Sequence, residues 1–169
     1  MGRARPRHGV VESLVKVSGA YLISVSQRRA YELLQDPVVL GKAMPGCDTL
    51  ERIGEHEYHM KMKMVMASIS GLFDGKVRIA DLQPHSSFRL MVEGSGKIGF
   101  MKGDGLLHLF PAGAGTSVQF EGNVEVGGTI AAVGQRLLDA TARMIIKRFF
   151  EKLASDAAVS ETPSPAANI

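Results

Sequence analysis

The amino-acid sequence predicts an α+β domain in which a curved antiparallel sheet of seven strands wraps around one long C-terminal helix. Residues 48–126 alternate between apolar and polar side chains, with short turns between the runs, as consecutive antiparallel strands require. Residues 129–153 change to the 3.6-residue period of an amphipathic helix. An antiparallel sheet with one face in water must bury the other face, and only this helix is long enough to cover it.

The elements before the alternating region follow from local signals. Residues 14–25 alternate as a first strand. Ser26 is a residue type that caps helices, which predicts a short helix over 27–35. Asp36 is a second capping residue, and the proline after it fits a first helical position, so a second short helix is expected over 37–44.

Turn residues divide the alternating region into six runs, which makes seven strands with the first one. A pair of glycines then ends the alternation, and the long helix follows with an apolar stripe on one side. The predicted strands cover 48–53, 57–69, 72–82, 86–95, 99–110 and 115–126. The predicted stripe consists of Ile130, Val133, Leu137, Thr141, Met144, Ile145, Phe149 and Leu153.

A chain of 169 residues is long enough for one domain with a substantial core, which we expect at 14–154. Residues 1–13 are basic and interrupted by glycine and proline, and residues 155–169 are mostly small or polar. Both segments are therefore predicted to be disordered extensions.

The composition favours a cytoplasmic protein without a nucleic-acid partner. The formal charge of +3 is no larger than the contribution of three arginines in the N-terminal extension, so no basic surface is indicated. A single cysteine, Cys47, excludes an internal disulfide and a cysteine-based metal cluster, which suits a reducing compartment. No apolar run approaches the ~18 residues of a membrane span, and the N-terminus lacks the apolar segment of a signal peptide.

The most informative pattern is the run Y-H-M-K-M-K-M-V-M at residues 58–66. Alternate side chains of a strand point to opposite faces, so the four methionines and Tyr58 share the inward face, while the histidine and lysines face water. Methionine is flexible and polarisable and adapts to irregular apolar shapes, whereas one tight packing arrangement favours β-branched residues. We name Met60, Met62, Met64 and Met66 the methionine ladder and predict that it lines a pocket; ordinary core packing is the alternative.

Strand phase extends this pocket to the neighbouring strands, and the long helix closes it. Few polar groups converge there, so the expected ligand is largely apolar with a small polar head, which Tyr58 or His108 would bind. A fully packed core is the alternative. The predicted ligand-binding residues are Tyr58, the methionine ladder (Met60, Met62, Met64, Met66), Phe73, Val77, Ile79, Phe88, Leu90, Val92, Phe100, His108, Val118, Phe120, Val124, Met144, Ile145 and Phe149.

The sequence contains little that predicts catalysis or a bound metal. The histidines are scattered without a metal-binding spacing, and no pair of carboxylates is apparent. Cys47 has no basic neighbour in the sequence, so a small buried apolar role is favoured over a reactive thiol. The glycines of 94–105 imitate part of a dinucleotide-binding motif, but they lie between two strands and not between a strand and a helix. They are interpreted as a flexible hairpin at the mouth of the cavity, in which Ile98, Phe100 and Met101 form an apolar lid.

The long helix also carries an apolar pair, Ile146 and Phe150, beside Arg143 and Lys147 near its polar side. An apolar pair bordered by basic residues suits contact with a membrane surface or a partner protein. Isolated apolar residues on a surface are the alternative.

Several motifs, in this order and spacing, resemble the CoxG family, named after the CoxG subunit of carbon monoxide dehydrogenase. This family lies within the helix-grip, START-like (SRPBCC) superfamily of proteins with hydrophobic cavities. The likeness covers about residues 15–153. The motifs are D-P-V-V-L at 36–40, P-G-C at 45–47, F-D-G-K-V-R-I-A-D-L-Q-P at 73–84, the glycine-rich segment 94–105, V-G-G-T-I-A-A-V-G-Q-R-L-L-D-A-T-A-R at 126–143, and Phe149-Phe150.

The resemblance implies a non-enzymatic accessory protein, without a cofactor of its own, that serves a molybdenum-containing CO dehydrogenase-type enzyme or a related hydroxylase. It implies recruitment of that enzyme to the membrane, hence peripheral contact with the inner face, and a lipid or isoprenoid quinone as the apolar ligand. The short polar tail differs from the long membrane-binding extension of some family members, and the basic N-terminal extension also lies outside the family pattern.

Two other functions remain open at this point. A cyclase or dehydratase on the same fold would need polar residues in the cavity, and His108 with Tyr58 is the candidate pair. A protein-binding chaperone would use the outer face of the sheet.

Overall fold

The computed structural model describes residues 12–66 and 68–160, with the backbone alone for 156–160. Seven antiparallel strands form one curved sheet in the order β1-β7-β6-β5-β4-β3-β2, so every strand after β1 pairs with its neighbour in the sequence. The predicted fold class is confirmed. The elements are β1 (Glu12–Ile23), α1 (Gln27–Leu33), α2 (Pro37–Ala43), β2 (Cys47–Gly54), β3 (Glu57–Met66), β4 (Ile69–Gln83), β5 (Ser87–Gly96), β6 (Gly99–Ala112), β7 (Gly115–Gly127), a 3₁₀ segment (Thr129–Val133) and α3 (Gln135–Ser160).

Both short helices begin at the capping residues that the sequence predicts. The Ser26 hydroxyl accepts a hydrogen bond from the Arg29 backbone N–H at 3.1 Å, and the Asp36 carboxylate accepts one from the Val38 N–H at 2.9 Å. Each cap satisfies a backbone donor that has no partner within its helix. α1 lies against β6 and β7, and α2 lies against β2 and α3.

The long helix differs from its prediction at both ends. Residues 129–133 form a separate 3₁₀ segment, and Gly134 follows with a φ of 105°, a left-handed conformation that favours glycine. The α-helix therefore starts only at Gln135, and it continues to Ser160, beyond the predicted end at Leu153. Residues 155–160 are helical where a disordered tail was expected, and Glu12 and Ser13 belong to β1; the remainder of both predicted extensions lies outside the described residues.

The buried side of α3 is rotated from the predicted stripe. Thr141 and Leu153 of the predicted stripe are buried, but so are Leu138 and Phe150 outside it, whereas Met144 is 37% exposed. The prediction applied a single helical period to all of residues 129–153. The 3₁₀ segment and the break at Gly134 interrupt that period before α3 begins, so the residues of α3 face a different direction from the one expected. The placement of Met144 in the cavity wall was therefore wrong.

Glycines on the inner face allow the sheet to bend towards α3. Gly75 lies opposite Gly94 on β4 and β5, and Gly105 lies opposite Gly122 on β6 and β7. A Cβ atom on Gly75 would overlap the Glu93 carbonyl oxygen, and one on Gly122 would lie 2.6 Å from the Asp104 carbonyl oxygen. Neighbouring backbones come this close only because the side chains are missing, which is how glycine permits strong local curvature.

Candidate functional site

The methionine ladder faces the interior, as the alternation predicts, and it is tightly packed. The four methionines are between 4% and 6% exposed, and Tyr58 and Phe73 beside them are each 1% exposed. The Tyr58 hydroxyl donates a hydrogen bond to the Gln35 carbonyl oxygen at 3.0 Å, so its proton is already used within the fold. This half of the inner face, on β3 and β4, is solid core.

The other half of the inner face is partly accessible. Some inward-facing apolar residues of β1, β5, β6 and β7 pack against the core but remain incompletely buried, as do some α3 residues. Gly19, also on the inner face of β1, is exposed. We name this space the cleft. It is lined by Val17, Leu90, Val92, Met101, Phe120, Val124, Ile145 and Phe149.

Glycines on adjacent strands face the cleft, and one of them leaves room for a side chain. Gly103 lies opposite Val124, and Gly105 lies opposite Gly122, which in turn lies opposite Val17 on β1. A Cβ atom on Gly103 would meet the nearest Val124 methyl carbon at an ordinary contact distance of 3.5 Å. The missing side chain at Gly103 therefore leaves room at this point of the cleft, whereas Gly105 and Gly122 let the backbones of neighbouring strands approach closely.

One wall of the cleft is an aromatic cluster that fastens α3 to the sheet. The Phe150 ring stacks on Tyr21 with centroids 4.6 Å apart and on Phe120 with centroids 5.6 Å apart. Phe149 meets the edge of Phe150 at 5.0 Å. Phe150 is 5% exposed, so its predicted place in a surface pair with Ile146 was wrong. Its ring lies between the helix and β1, where the rotated face of α3 directs it.

His108 and Phe100 do not face the cleft, and both predictions were wrong. Leu107 and Leu109 on either side of His108 are buried, whereas His108 is exposed and stacks on Phe110 with centroids 6.3 Å apart. The register between β6 and β7 is unbroken from Phe100 to Ala112, so no bulge changes which residues point inward. Phe100 shares the outer face with His108.

The remaining predicted site residues lie on the inner face or on α3. The following are buried in the core: Phe73, Val77, Ile79, Phe88 and Val118. Leu90, Val92, Phe120, Val124, Ile145 and Phe149 are the ones that lie in the cleft. Whether any of them binds a ligand stays a prediction.

The glycine-rich hairpin between β5 and β6 covers one end of the domain. Ile98 packs on the core, and its carbonyl oxygen accepts a hydrogen bond from the Ile130 N–H at 2.9 Å. Gly99 has a φ of 137° and lies against the Gly127 carbonyl. The lack of a side chain at Gly99 therefore allows the two backbone segments to approach each other closely. Of the three predicted lid residues, Ile98 and Met101 contact the core; opening of this hairpin stays a prediction.

Tyr31, on α1, was not among the predicted site residues. Tyr31 is 8% exposed, and its hydroxyl is the buried side-chain polar atom without a hydrogen-bond partner in the described part of the chain. Its ring meets the edges of His85 and Phe88 at 5.6 and 5.8 Å. Burial raises the pKa of Tyr31, and Gln35 nearby opposes part of the rise. The feature of the sequence that could have identified Tyr31 is the position of a tyrosine on the apolar side of a short helix.

Cys47 and the possible metal-binding side chains lack the surroundings that a reactive or metal-binding site requires. Burial, followed by the charge of Asp48, raises the pKa of the Cys47 thiol, which donates to the Thr49 carbonyl oxygen at 3.4 Å. A raised pKa lowers the thiolate fraction, which is the opposite of activation. Within residues 12–66 and 68–160, no three His, Cys, Asp or Glu side chains are grouped so that they could hold a metal ion.

A groove of about 540 Å³ crosses the outer face of the sheet. Most of its lining is charged, with both signs mixed, which suits an apolar ligand poorly. Its charged residues are Glu57, Lys76, Arg78, Glu93, Lys102, Asp104 and Glu125.

The family model for the CoxG subunit of carbon monoxide dehydrogenase matches residues 19–158. The chain belongs to the CoxG family. No curated protein matches the sequence. The structure is similar to that of a conserved protein from Geobacillus kaustophilus, at 31% identity and a TM-score of 0.82, over 86% of this chain and 97% of the other.

More distant structures share the fold of this CoxG-family chain. The Zhui aromatase/cyclase from Streptomyces sp. R1128 is 12% identical with a TM-score of 0.65, over 90% of this chain and 99% of the other. A protein from Chromobacterium violaceum is 18% identical with a TM-score of 0.60, over 83% and 96%. Among the helices that the structure describes, none has both the length and the apolarity to cross a membrane.

Proposed function

We propose that this CoxG-family protein is a non-enzymatic carrier that holds a lipid or an isoprenoid quinone in the cleft and serves a molybdenum CO dehydrogenase-type enzyme at the membrane. The observation that carries the proposal is the partial accessibility of inward-facing apolar side chains on four strands, beside a half that is fully packed. Support for the partner enzyme comes from the family itself.

The chemistry of the cleft suits binding more than catalysis. Its lining is aliphatic and aromatic, and burial of apolar surface contributes roughly 25 cal/mol for each Å² removed from water. A long apolar chain would gain most of its affinity in this way. Thioethers and hydrocarbon side chains supply no acid, base or nucleophile.

The cyclase or dehydratase alternative loses the residue pair on which it rested. His108 lies on the outer face, and the Tyr58 hydroxyl donates to the Gln35 carbonyl oxygen. The two side chains therefore do not meet in one cavity. The likeness to an aromatase/cyclase at 12% identity concerns the fold.

Filling the cleft tests the carrier proposal. Gly103→Leu would place a side chain where a Cβ atom makes only ordinary contacts. We expect binding of phylloquinone, measured by partition from phosphatidylcholine vesicles, to fall at least about tenfold while the domain stays folded. Ala20→Leu adds similar volume to the exposed outer face of β1 and is the matched control, expected to bind normally. Undiminished binding by the Gly103 variant would place the ligand elsewhere.

Peripheral membrane contact is proposed at the β3–β4 hairpin and not on α3. Leu72 and Val65 on the outer face are 67% and 59% exposed. Lys63 lies directly opposite Leu72 in the register, and Lys61 follows on the same face. We name these four residues the hairpin patch. Exposed apolar side chains with adjacent lysines are complementary to an anionic lipid surface.

The hairpin patch has a matched control at the other end of the sheet. Leu22 is also 67% exposed on the outer face, but it lies opposite Ser117. We expect Leu72→Asp to lower cosedimentation with vesicles containing phosphatidylserine several-fold, and Leu22→Asp to leave it unchanged. Equal losses in both variants, or no loss in either, would contradict contact through the patch.

A further inference from the structure

Tyr31 presents a hydroxyl group that the described part of the fold leaves without a partner. The residue is 8% exposed, and its hydroxyl makes no hydrogen bond of good geometry, although the Gln35 side chain lies near enough to lower its pKa in part. The Gln35 amide nitrogen donates instead to the Tyr31 carbonyl oxygen at 3.2 Å. Buried hydroxyl groups are nearly always hydrogen-bonded, because water is lost and nothing replaces it. Phenylalanine would fill the same space without this cost.

A second buried tyrosine, Tyr58, has a hydroxyl group with a structural role. Tyr58 is 1% exposed, and its hydroxyl donates to the Gln35 carbonyl oxygen at 3.0 Å, which links β3 to the end of α1. Tyr31 lies one helical turn before Gln35 on α1 and makes no such link. The two tyrosines differ in whether the fold provides an acceptor.

The contacts of the Tyr31 ring connect this residue to the strand that lines the cleft. The Tyr31 ring meets the edge of Phe88, which faces inward on β5. Leu90, two residues further along the same face of β5, belongs to the cleft. Tyr31 therefore lies against the inward-facing residue of β5 that comes before Leu90, the first β5 residue of the cleft. An elongated ligand in the cleft would bring one terminus towards this ring.

We propose that the Tyr31 hydroxyl donates a hydrogen bond to a carbonyl oxygen of the ligand in the cleft. This inference rests on the proposed function and adds the chemistry of the ligand's polar head. A phenol is protonated at neutral pH and can donate, and burial raises the pKa of Tyr31 further. The ligand enters with its carbonyl end towards α1 and its apolar tail along Leu90 and Val92. A quinone ring and an acyl ester both carry the required oxygen.

The test compares Tyr31→Phe with Tyr58→Phe on three probes. Phylloquinone carries ring carbonyls, 2-methyl-3-phytylnaphthalene has the same shape without them, and methyl oleate carries an ester carbonyl. We expect Tyr31→Phe to weaken phylloquinone binding about tenfold, the effect of one hydrogen bond, and to leave binding of the naphthalene unchanged. Loss for methyl oleate in place of phylloquinone would assign the carbonyl to a lipid. In the infrared spectrum, the stretch of the bound carbonyl should move to higher wavenumber in this variant.

Thermal unfolding separates a ligand role from a structural one. Tyr31→Phe should keep or raise the Tm of the ligand-free protein, whereas Tyr58→Phe should lower it. An equal fall in Tm in both variants, or equal weakening of all three probes by Tyr31→Phe, would overturn the inference while leaving the carrier function in place. If the native protein binds none of the probes, the carrier function itself fails.

Discussion

The two halves of the inner face of the sheet differ in how much side-chain volume they carry. On β3, Tyr58 and the methionine ladder place a long side chain at every inward position from 58 to 66, and the ladder is at most 6% exposed. On β6, β7 and β1, Gly103, Gly105, Gly122 and Gly19 face the same interior, and their apolar neighbours remain partly accessible. The methionines fill the interior on β3, whereas Gly103 on β6 leaves room for a side chain.

The largest expected effect comes from placing a charge in each half. Met62→Lys would bury an ammonium group in a packed core without a partner, and we expect a loss of about 4 kcal/mol or more in the free energy of unfolding, or no folding at all. Val124→Lys changes a partly accessible position in the cleft, from which a long side chain can reach water, so we expect a loss of about 1–2 kcal/mol. Urea denaturation of both variants measures the difference. Similar losses would mean that the two halves are packed alike.

A smaller effect is expected from adding one methyl group to each of two inner-face glycines. At Gly122 a Cβ atom would lie 2.6 Å from the Asp104 carbonyl oxygen, so alanine should cost about 1–3 kcal/mol. At Gly103 the nearest contact is 3.5 Å, and alanine should be neutral or stabilise by a few tenths of a kcal/mol. Chemical denaturation distinguishes the two. Destabilisation by Gly103→Ala would show that this glycine is needed for curvature and does not merely leave space.

Much of the fold could be predicted because strands and caps leave local signals. Alternation located the strands, and Ser26 and Asp36 located the short helices, since each signal depends on residues close in the sequence. The long helix was less predictable. Its phase depends on the break at Gly134, and that break depends on a backbone conformation that a periodicity pattern does not contain.

The candidate site could be predicted only in part, for a related reason. Alternation indicates which face a residue occupies, and it correctly turned Met62 and Phe120 inward. It does not indicate the distance to the opposite wall, so the packed half and the cleft looked alike in the sequence. The placement of His108 required knowing that β6 contains no bulge, and Tyr31 required knowing which acceptors its hydroxyl can reach.

The unbroken pairing of β6 with β7 has a consequence for how this domain can change over evolutionary time. Inserting or deleting a single residue between Phe100 and Ala112 would exchange the two faces of the strand beyond that point. If the change lay before Leu107, His108 would enter the interior, while Leu107 and Leu109 would be turned towards water. Changes in length are therefore confined to the turns at the ends of these strands, and relatives should differ in loop size while keeping strand length.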